Sequence, residues 1–332
     1  MSTSRILSGP VTPRTYRVAV AVAGAAMSGI VLTGAGVRLS QSGLGCSDWP
    51  TCSGDQLVPA WGLHPWVEFG NRLLTFAVSA AVAGAVLAAH RRRPRRRDLI
   101  VWAWGLVAGV VGQIVVGGVS VLLELQPLSV ASHFLLSMVL LWNSVVLWVR
   151  ANSGPAPARP VFPSSIRNHS RAMVVAATAV LVTGTVVTGA GPHSGDSRAE
   201  RLQIALVTAA RIHSATVWLL VAVTVALALR LSRLGPDPRR TIGAGPRRLV
   251  TFLMAAIAAQ GAVGYTQYAL GVPAALVEVH VFGSVVVWCL ALAAHLALPE
   301  RDPMETTEPL AGAENNSARA VIAGSTLDTM KA

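Results

Sequence analysis

Three of the eight histidines, His133, His213 and His280, sit inside apolar runs: SVASHFLLSM, ARIHSATVW and EVHVFGS. An imidazole among apolar residues is disfavoured unless it is paired or liganded, so each of the three marks a functional position. A helix-helix hydrogen bond is the plainer reading of any one of them. The other five need no ligand role, because His90 and His295 end apolar runs and His64, His169 and His193 fall in connecting segments. His213 and His280 stand at equivalent heights, and two histidines facing each other across a helical bundle can ligate a haem iron from both sides. Small neighbours such as Ala210, Ser214, Gly283 and Ser284 would let a flat macrocycle come close. Zinc or copper would call for more nitrogen or sulfur donors nearby.

His133 occupies the place of His280 in an earlier stretch of the chain, and the position matching His213 holds Asn71, in WVEFGNRLLTF. Asparagine is a poor iron ligand. A haem held there would be bound through His133 alone, with one face open. Glu68, Asn71 and Arg72 share one helical face by their spacing of three and four residues. Glu68 and Arg72 read either as an interfacial ion pair or as a site in which Glu68 handles protons while Arg72 meets a carboxylate such as a haem propionate.

Two cysteines lie six positions apart in SGLGCSDWPTC, Ser42 to Cys52, in a chain whose third cysteine is Cys289. Cys46 and Cys52 are close enough for a disulfide if the backbone folds back around Pro50. A metal site is the weaker alternative, with Asp48 and the distant His64 as further donors.

These residues need elements to hold them. Hydrophobic residues make up 53% of the sequence and charged residues 13%, the composition of a membrane protein. The formal charge of +12 could suggest nucleic acid, but the basic residues form short clusters between apolar runs, which speaks for membrane topology instead. A helix crossing the bilayer takes about 20 apolar residues, and eight segments meet that length: roughly 17–38, 66–89, 99–121, 129–149, 172–190, 206–230, 249–269 and 274–297. The first reads as a span rather than a cleaved leader, because no small-residue cleavage site follows it. With both termini in the cytoplasm, all but Arg38, Arg72, Arg198, Arg201 and Arg211 of the 27 basic residues fall on the inner side. The cysteine loop then faces outward, where disulfides persist.

The chain also repeats itself. TGAG occurs at Thr33 to Gly36 and at Thr188 to Gly191, and Gln113 and Gln260 each precede His133 and His280 by twenty residues. Two such coincidences predict a duplicated four-helix unit. With an even number of spans per unit, the expected fold is all-α and integral to the membrane, with eight transmembrane helices arranged as two parallel-repeat four-helix bundles. The organisation reads as a cytoplasmic segment 1–16, an N-terminal four-helix unit 17–150, a linker 151–171 rich in Pro, Ser and Ala, a C-terminal four-helix unit 172–298, and a disordered tail 299–332.

SGLGCSDWPTC, the Glu-x-x-x-Arg of the second span, GQIVVGG ahead of His133 and TGAGPHSGD together resemble the haem A synthase family, over about residues 17–297. EFGNR, with Asn71 where most of the family has histidine, is similar to a variant of actinobacterial relatives. The resemblance implies haem b between His213 and His280 as an electron-transfer cofactor. It also implies haem O as substrate in the first unit, with His133 as its iron ligand and Glu68 needed for the chemistry. Two oxidations at one porphyrin methyl would give a hydrated aldehyde, which loses water to become the formyl group of haem A for terminal oxidase assembly. The implied setting is the plasma membrane, with haem O synthase and membrane lipids as partners, an unnamed electron donor, and a homo-oligomer left open. The loop closed by Cys46 and Cys52 would lid the substrate pocket, or else exchange electrons with a thiol partner.

The main alternative is a quinol-linked membrane electron carrier with haem b between paired histidines. It shares the His213 and His280 site but expects two histidines in the first unit as well, against Asn71. A transporter would place polar residues at the midplane rather than toward one face. A prenyltransferase would need paired aspartates for diphosphate, and none lies in or beside these spans.

Overall fold

Apolar runs of this length have one stable form in hydrocarbon, the helix, because it satisfies its own backbone hydrogen bonds. The computed structural model describes residues 9–154, 162–234 and 244–298. They form eight helices: α1 (Pro13–Leu39), α2 (Leu63–Arg91), α3 (Arg97–Leu122), α4 (Pro127–Ala151), α5 (Ser164–Ala190), α6 (Leu206–Arg233), α7 (Ala244–Ala269) and α8 (Ala274–Leu296). All eight are long and apolar enough to cross a membrane, and the molecule is a multi-pass membrane protein. Most begin or end a few residues outside the apolar runs. The largest difference is α5, which starts at Ser164 rather than near 172, because the polar turns SSIRNHSR continue the helix beyond the hydrocarbon. The expected tail and the first half of the N-terminal segment lie outside the described residues.

Local chemistry sets several ends. Thr12 caps α1 by accepting the Thr15 N–H at 3.2 Å, with Pro13 at the first helical position. Pro127 opens α4 in the same way. On the face that carries the termini, Arg96 is not a free topology charge. It is buried, pairs with Asp98 at 2.6 Å and donates to the Arg150 carbonyl at 3.1 Å, tying α3 to the end of α4.

In the first half α1 and α3 each pack on α2 and α4. In the second, α5 and α7 each pack on α6 and α8. The halves meet through α4 on α8, α1 on α8 and α4 on α5. Exchanging α1 with α5 and α4 with α8 maps this set of contacts onto itself. Close approach comes from small residues: a Cβ on Gly24 would stand 2.8 Å from the Ser144 hydroxyl, and one on Gly105 would stand 2.9 Å from the Asn143 amide nitrogen. The core runs between the halves through Met138, Leu141, Leu292 and Trp288. There the Trp288 indole N–H donates to the Met138 carbonyl at 2.9 Å.

On the opposite face, called here the loop face, segments of both halves are joined. The Gly43 N–H donates to the Gly195 carbonyl at 2.9 Å, and Arg198 Nη2 donates to the Leu44 carbonyl at 3.2 Å. Gly195 has a φ of 109°, a conformation that disfavours any side chain. The Arg198 guanidinium beside Asp196 holds that carboxyl below the usual carboxylate range.

Candidate functional site

Five of the eight histidines are satisfied by protein. Trp104 Nε1 donates to His90 Nε2 at 3.1 Å, and the His169 and His193 rings bond the carbonyls of Val223 and Val272. His64 Nδ1 pairs with the Ser42 hydroxyl and His295 Nδ1 with that of Ser170. These are the five that need no ligand role on sequence. By contrast, the Nδ1 atoms of His133 and His280 are buried with no hydrogen-bond partner in the structure.

His213 and His280 face each other across the second half, with ring centroids 6.4 Å apart and planes at 71°. Two imidazoles bound to one iron through a single nitrogen each place their centroids about 6 Å apart, given a bond near 2 Å and about 1 Å from nitrogen to ring centre. The spacing fits a bis-histidine haem. Both rings lie against glycines: a Cβ would stand 3.1 Å from His280 Cε1 at Gly264 and 3.3 Å from His213 Cε1 at Gly184. His213 is also oriented from behind. The Thr183 hydroxyl, which also bonds the Ala179 carbonyl at 2.9 Å and pairs with the Thr216 hydroxyl at 2.9 Å, lies 3.0 Å from His213 Nδ1. With Nδ1 engaged there, Nε2 is the ring nitrogen left for a metal. Gln260 donates to the His280 carbonyl at 2.6 Å, and Gln113 to the His133 carbonyl at 3.2 Å, so the matched spacing is a matched contact.

The first half departs from this plan. His133 packs on Gly117, where a Cβ would stand 2.9 Å from its Cε1. Asn71 stands where the second half has His213, and its Oδ1 accepts the Thr33 hydroxyl at 2.7 Å. Gly29, which matches Gly184 by the TGAG register, has no protein atom within 4 Å of a would-be Cβ. The room that the second imidazole takes in one half is unfilled by protein in the other.

Over this half lies the cysteine loop. Cys46 and Cys52 are joined by a disulfide, with Cα atoms 4.4 Å apart. The metal alternative fails on geometry. Asp48 accepts the Gly54 N–H at 2.7 Å, and no group of three or more His, Cys, Asp or Glu is placed to hold an ion among the described residues. The loop is fastened to α2 by the pair picked out on sequence. Glu68 Oε2 accepts the Cys46 N–H at 2.7 Å, and Oε1 accepts Arg72 Nε and Nη2 at 3.1 and 2.6 Å. Arg72 Nη1 reaches the carbonyls of Asp48 and Thr51 at 3.0 and 2.9 Å. Arg72 therefore has one N–H left for any carboxylate outside the protein.

Trp49, at the loop tip, seats its indole on Gly118, where a Cβ would come within 2.5 Å of the ring. The double glycine of GQIVVGG thus serves two side chains, Gly117 admitting His133 and Gly118 admitting Trp49. Thr183, Trp49 and the split roles of these glycines were missed on sequence; the glycine pair itself was the one available signal.

The loop stem sits equally close. A Cβ on Gly45 would stand 2.5 Å from the backbone carbon of His64 and 2.7 Å from Pro65 N, atoms that cannot move aside. Gly45→Ala is expected to lift the stem off α2 at a cost of about 1–3 kcal/mol. Faster hydrogen exchange across 42–54 with unchanged exchange in α5 to α8 is the readout. Unchanged protection would show that the stem has room.

The chain matches the COX15-CtaA family, described as cytochrome oxidase assembly protein, over residues 17–61 and 63–193. It is 32% identical over 133 residues to heme A synthase of Geobacillus thermodenitrificans, covering 39% of this chain and 41% of that protein. To heme A synthase of Geobacillus kaustophilus it is 31% identical over 133 residues, with the same coverage. To that of Bacillus cereus it is 32% identical over 93 residues, 26% of this chain and 29% of the relative. The chain thus aligns with about two fifths of the length of the curated relatives it matches best among these. His213 and His280 lie beyond the family match, so their pairing rests on geometry alone.

Proposed function

The chain belongs to the COX15-CtaA family of cytochrome oxidase assembly proteins, and from that premise we propose that it is a haem A synthase, an oxidoreductase that converts a porphyrin methyl group of haem O to the formyl group of haem A. The observation that carries this reading is the asymmetry between the halves. One presents two histidines at 6.4 Å, and the other presents His133 under a fastened loop with Asn71 in place of a second imidazole.

In this scheme the second half holds haem b between His213 and His280, and the bound group supplies one-electron transfer. Thr183 holds the His213 ring through its Nδ1. Substrate haem O would occupy the first half, held through His133, with the Gly29 side left unfilled by protein. Glu68 and Arg72 hold the disulfide loop down, so that Trp49 and the loop backbone keep bulk water from the reacting edge. The loop serves as a brace in this reading rather than as a redox partner. The termini lie in the cytoplasm and the loop face outside the plasma membrane, following the basic residues. Haem O synthase is the source of substrate.

The test is to express the full chain in a membrane host supplied with haem O synthase, purify it, and identify the extracted haems by chromatography. Haem b together with haem A, or with a hydroxylated precursor of it, is the expected result. Recovery of haem b with haem O unaltered, under a competent electron supply, overturns the synthase reading in favour of a simple electron carrier.

A further inference from the structure

Beside the His213 and His280 pair, three polar groups meet on the surface that faces lipid. The Tyr265 hydroxyl of α7 lies 2.8 Å from the Ser214 hydroxyl of α6 and accepts the Trp218 indole N–H at 3.2 Å. Tyr265 is 57% exposed and Trp218 61%. An interfacial tyrosine ordinarily turns its hydroxyl toward the headgroups. This one turns away from them. Tyr265 is four residues from the loop-face end of α7, whereas Ser214 and Trp218 lie about 12 and 18 Å along α6 from its loop-face end, at about 1.5 Å per residue. The cluster is bonded in its backbone surroundings to the histidines: Ser214 follows His213, and Tyr265 follows Gly264, the residue against which His280 packs.

The other half shows what this place looks like when it is closed. By the register of the glutamines and histidines, Tyr265 matches Gly118, and by that of Asn71 and His213, Ser214 matches Arg72. In the first half Gly118 is covered by Trp49, and Arg72 is engaged by the cysteine loop. The connection before α6 has no cysteine pair. The same groove is therefore sealed by protein in one half, while in the other it is open to lipid and lined with a phenol, a hydroxyl and an indole N–H.

We propose that the α6–α7 groove at Tyr265, Ser214 and Trp218 is the docking site of a membrane-soluble quinol, the electron donor to the site at His213 and His280. This rests on the haem b assignment above. A quinol ring carries a hydroxyl at each end of an apolar body, so one of its hydroxyls hydrogen-bonds to the Tyr265–Ser214 pair, its ring stacks by Trp218 and the rest stays in the bilayer. One quinol is oxidised to one quinone, releasing two electrons and two protons. Each electron would reduce one ferric iron to ferrous, so one quinol serves two haem sites, or one site reoxidised between the two transfers, and the protons leave at the loop face.

Purified full-length protein carrying haem b is mixed rapidly with a short-chain quinol, and the ferrous absorbance is followed. Dithionite reduction gives the total haem. Tyr265→Phe and Ser214→Ala are expected to slow reduction by quinol about tenfold each, the worth of one hydrogen bond at the upper end, with dithionite-reducible haem unchanged. In parallel, a short-chain quinone is expected to quench tryptophan fluorescence, with the saturable part lost in Trp218→Phe. Haem that dithionite reduces but quinol does not, or variants as fast as the parent, would overturn the docking site and leave the haem reading intact. Protein with no haem b at all would overturn the haem reading. Saturable quenching that persists in Trp218→Phe would place any quinone elsewhere.

Discussion

Replacing His213 with alanine is expected to remove the haem b signal from the reduced-minus-oxidised spectrum of the purified protein, and His280→Ala to do the same. Among the described residues these two imidazoles face each other at the spacing that would suit one shared iron, so in the proposed site each would be half of its ligand set. Thr183→Val provides the graded control. It keeps both histidines but removes the hydroxyl 3.0 Å from His213 Nδ1, and loss of such a partner costs about 10–100-fold in metal affinity. The expected order is full occupancy in the parent, partial and reversible occupancy in Thr183→Val, and none in the alanine variants. Full haem b with an unshifted spectrum in His213→Ala would move the cofactor to another site.

The second large effect concerns the carboxylate of Glu68. Both of its oxygens are engaged by donors, the Cys46 N–H on one and Arg72 on the other. Glutamine cannot replace it, since its amide group would point N–H at N–H on one side. Breaking a buried, hydrogen-bonded ion pair costs about 3–5 kcal/mol, and here that loss falls on the loop over the first half. Glu68→Gln and Arg72→Met are therefore both expected to abolish conversion of haem O and to expose the 46–52 loop to exchange, while haem b at the second half is retained. A Glu68 variant that loses conversion with the loop still protected, beside an Arg72 variant that converts normally, would make Glu68 a proton carrier rather than a fastening.

The eight spans and the three histidines within them were legible in the sequence, because length and apolarity leave a helix few alternatives and a polar ring inside such a run has no solvent to face. Glu68 and Arg72 were legible as an i, i+4 pair, and their meeting at 2.6 Å follows from helix geometry. Their hold on the loop was not, since the carbonyls of Asp48 and Thr51 carry no signature of residue type. Thr183 escaped for a related reason. Threonines in membrane helices ordinarily bond their own preceding turn, as Thr178 and Thr183 both do here, and only the partner across the bundle distinguishes the second. The start of α5 was misjudged because hydropathy records where the hydrocarbon ends, whereas the helix ends where its hydrogen bonding does.

The helix lengths have a consequence for where electrons must come from. The 28 residues of α6 make a rod of about 42 Å, roughly 12 Å longer than the hydrocarbon it crosses. With that excess shared between its ends, the hydrocarbon boundary falls about 6 Å below the loop-face end, and His213, about 10 Å down the axis, is only some 4 Å beneath it. A flat group held at that level lies in a single leaflet with its edge in headgroup water, and about 25 Å of hydrocarbon separates it from the face carrying the termini. For the proposed haem b, a soluble reductant on the terminal face would therefore be too far away to serve it. Its donor would be something that travels in the bilayer to the loop-face leaflet, or something that waits on the loop face itself.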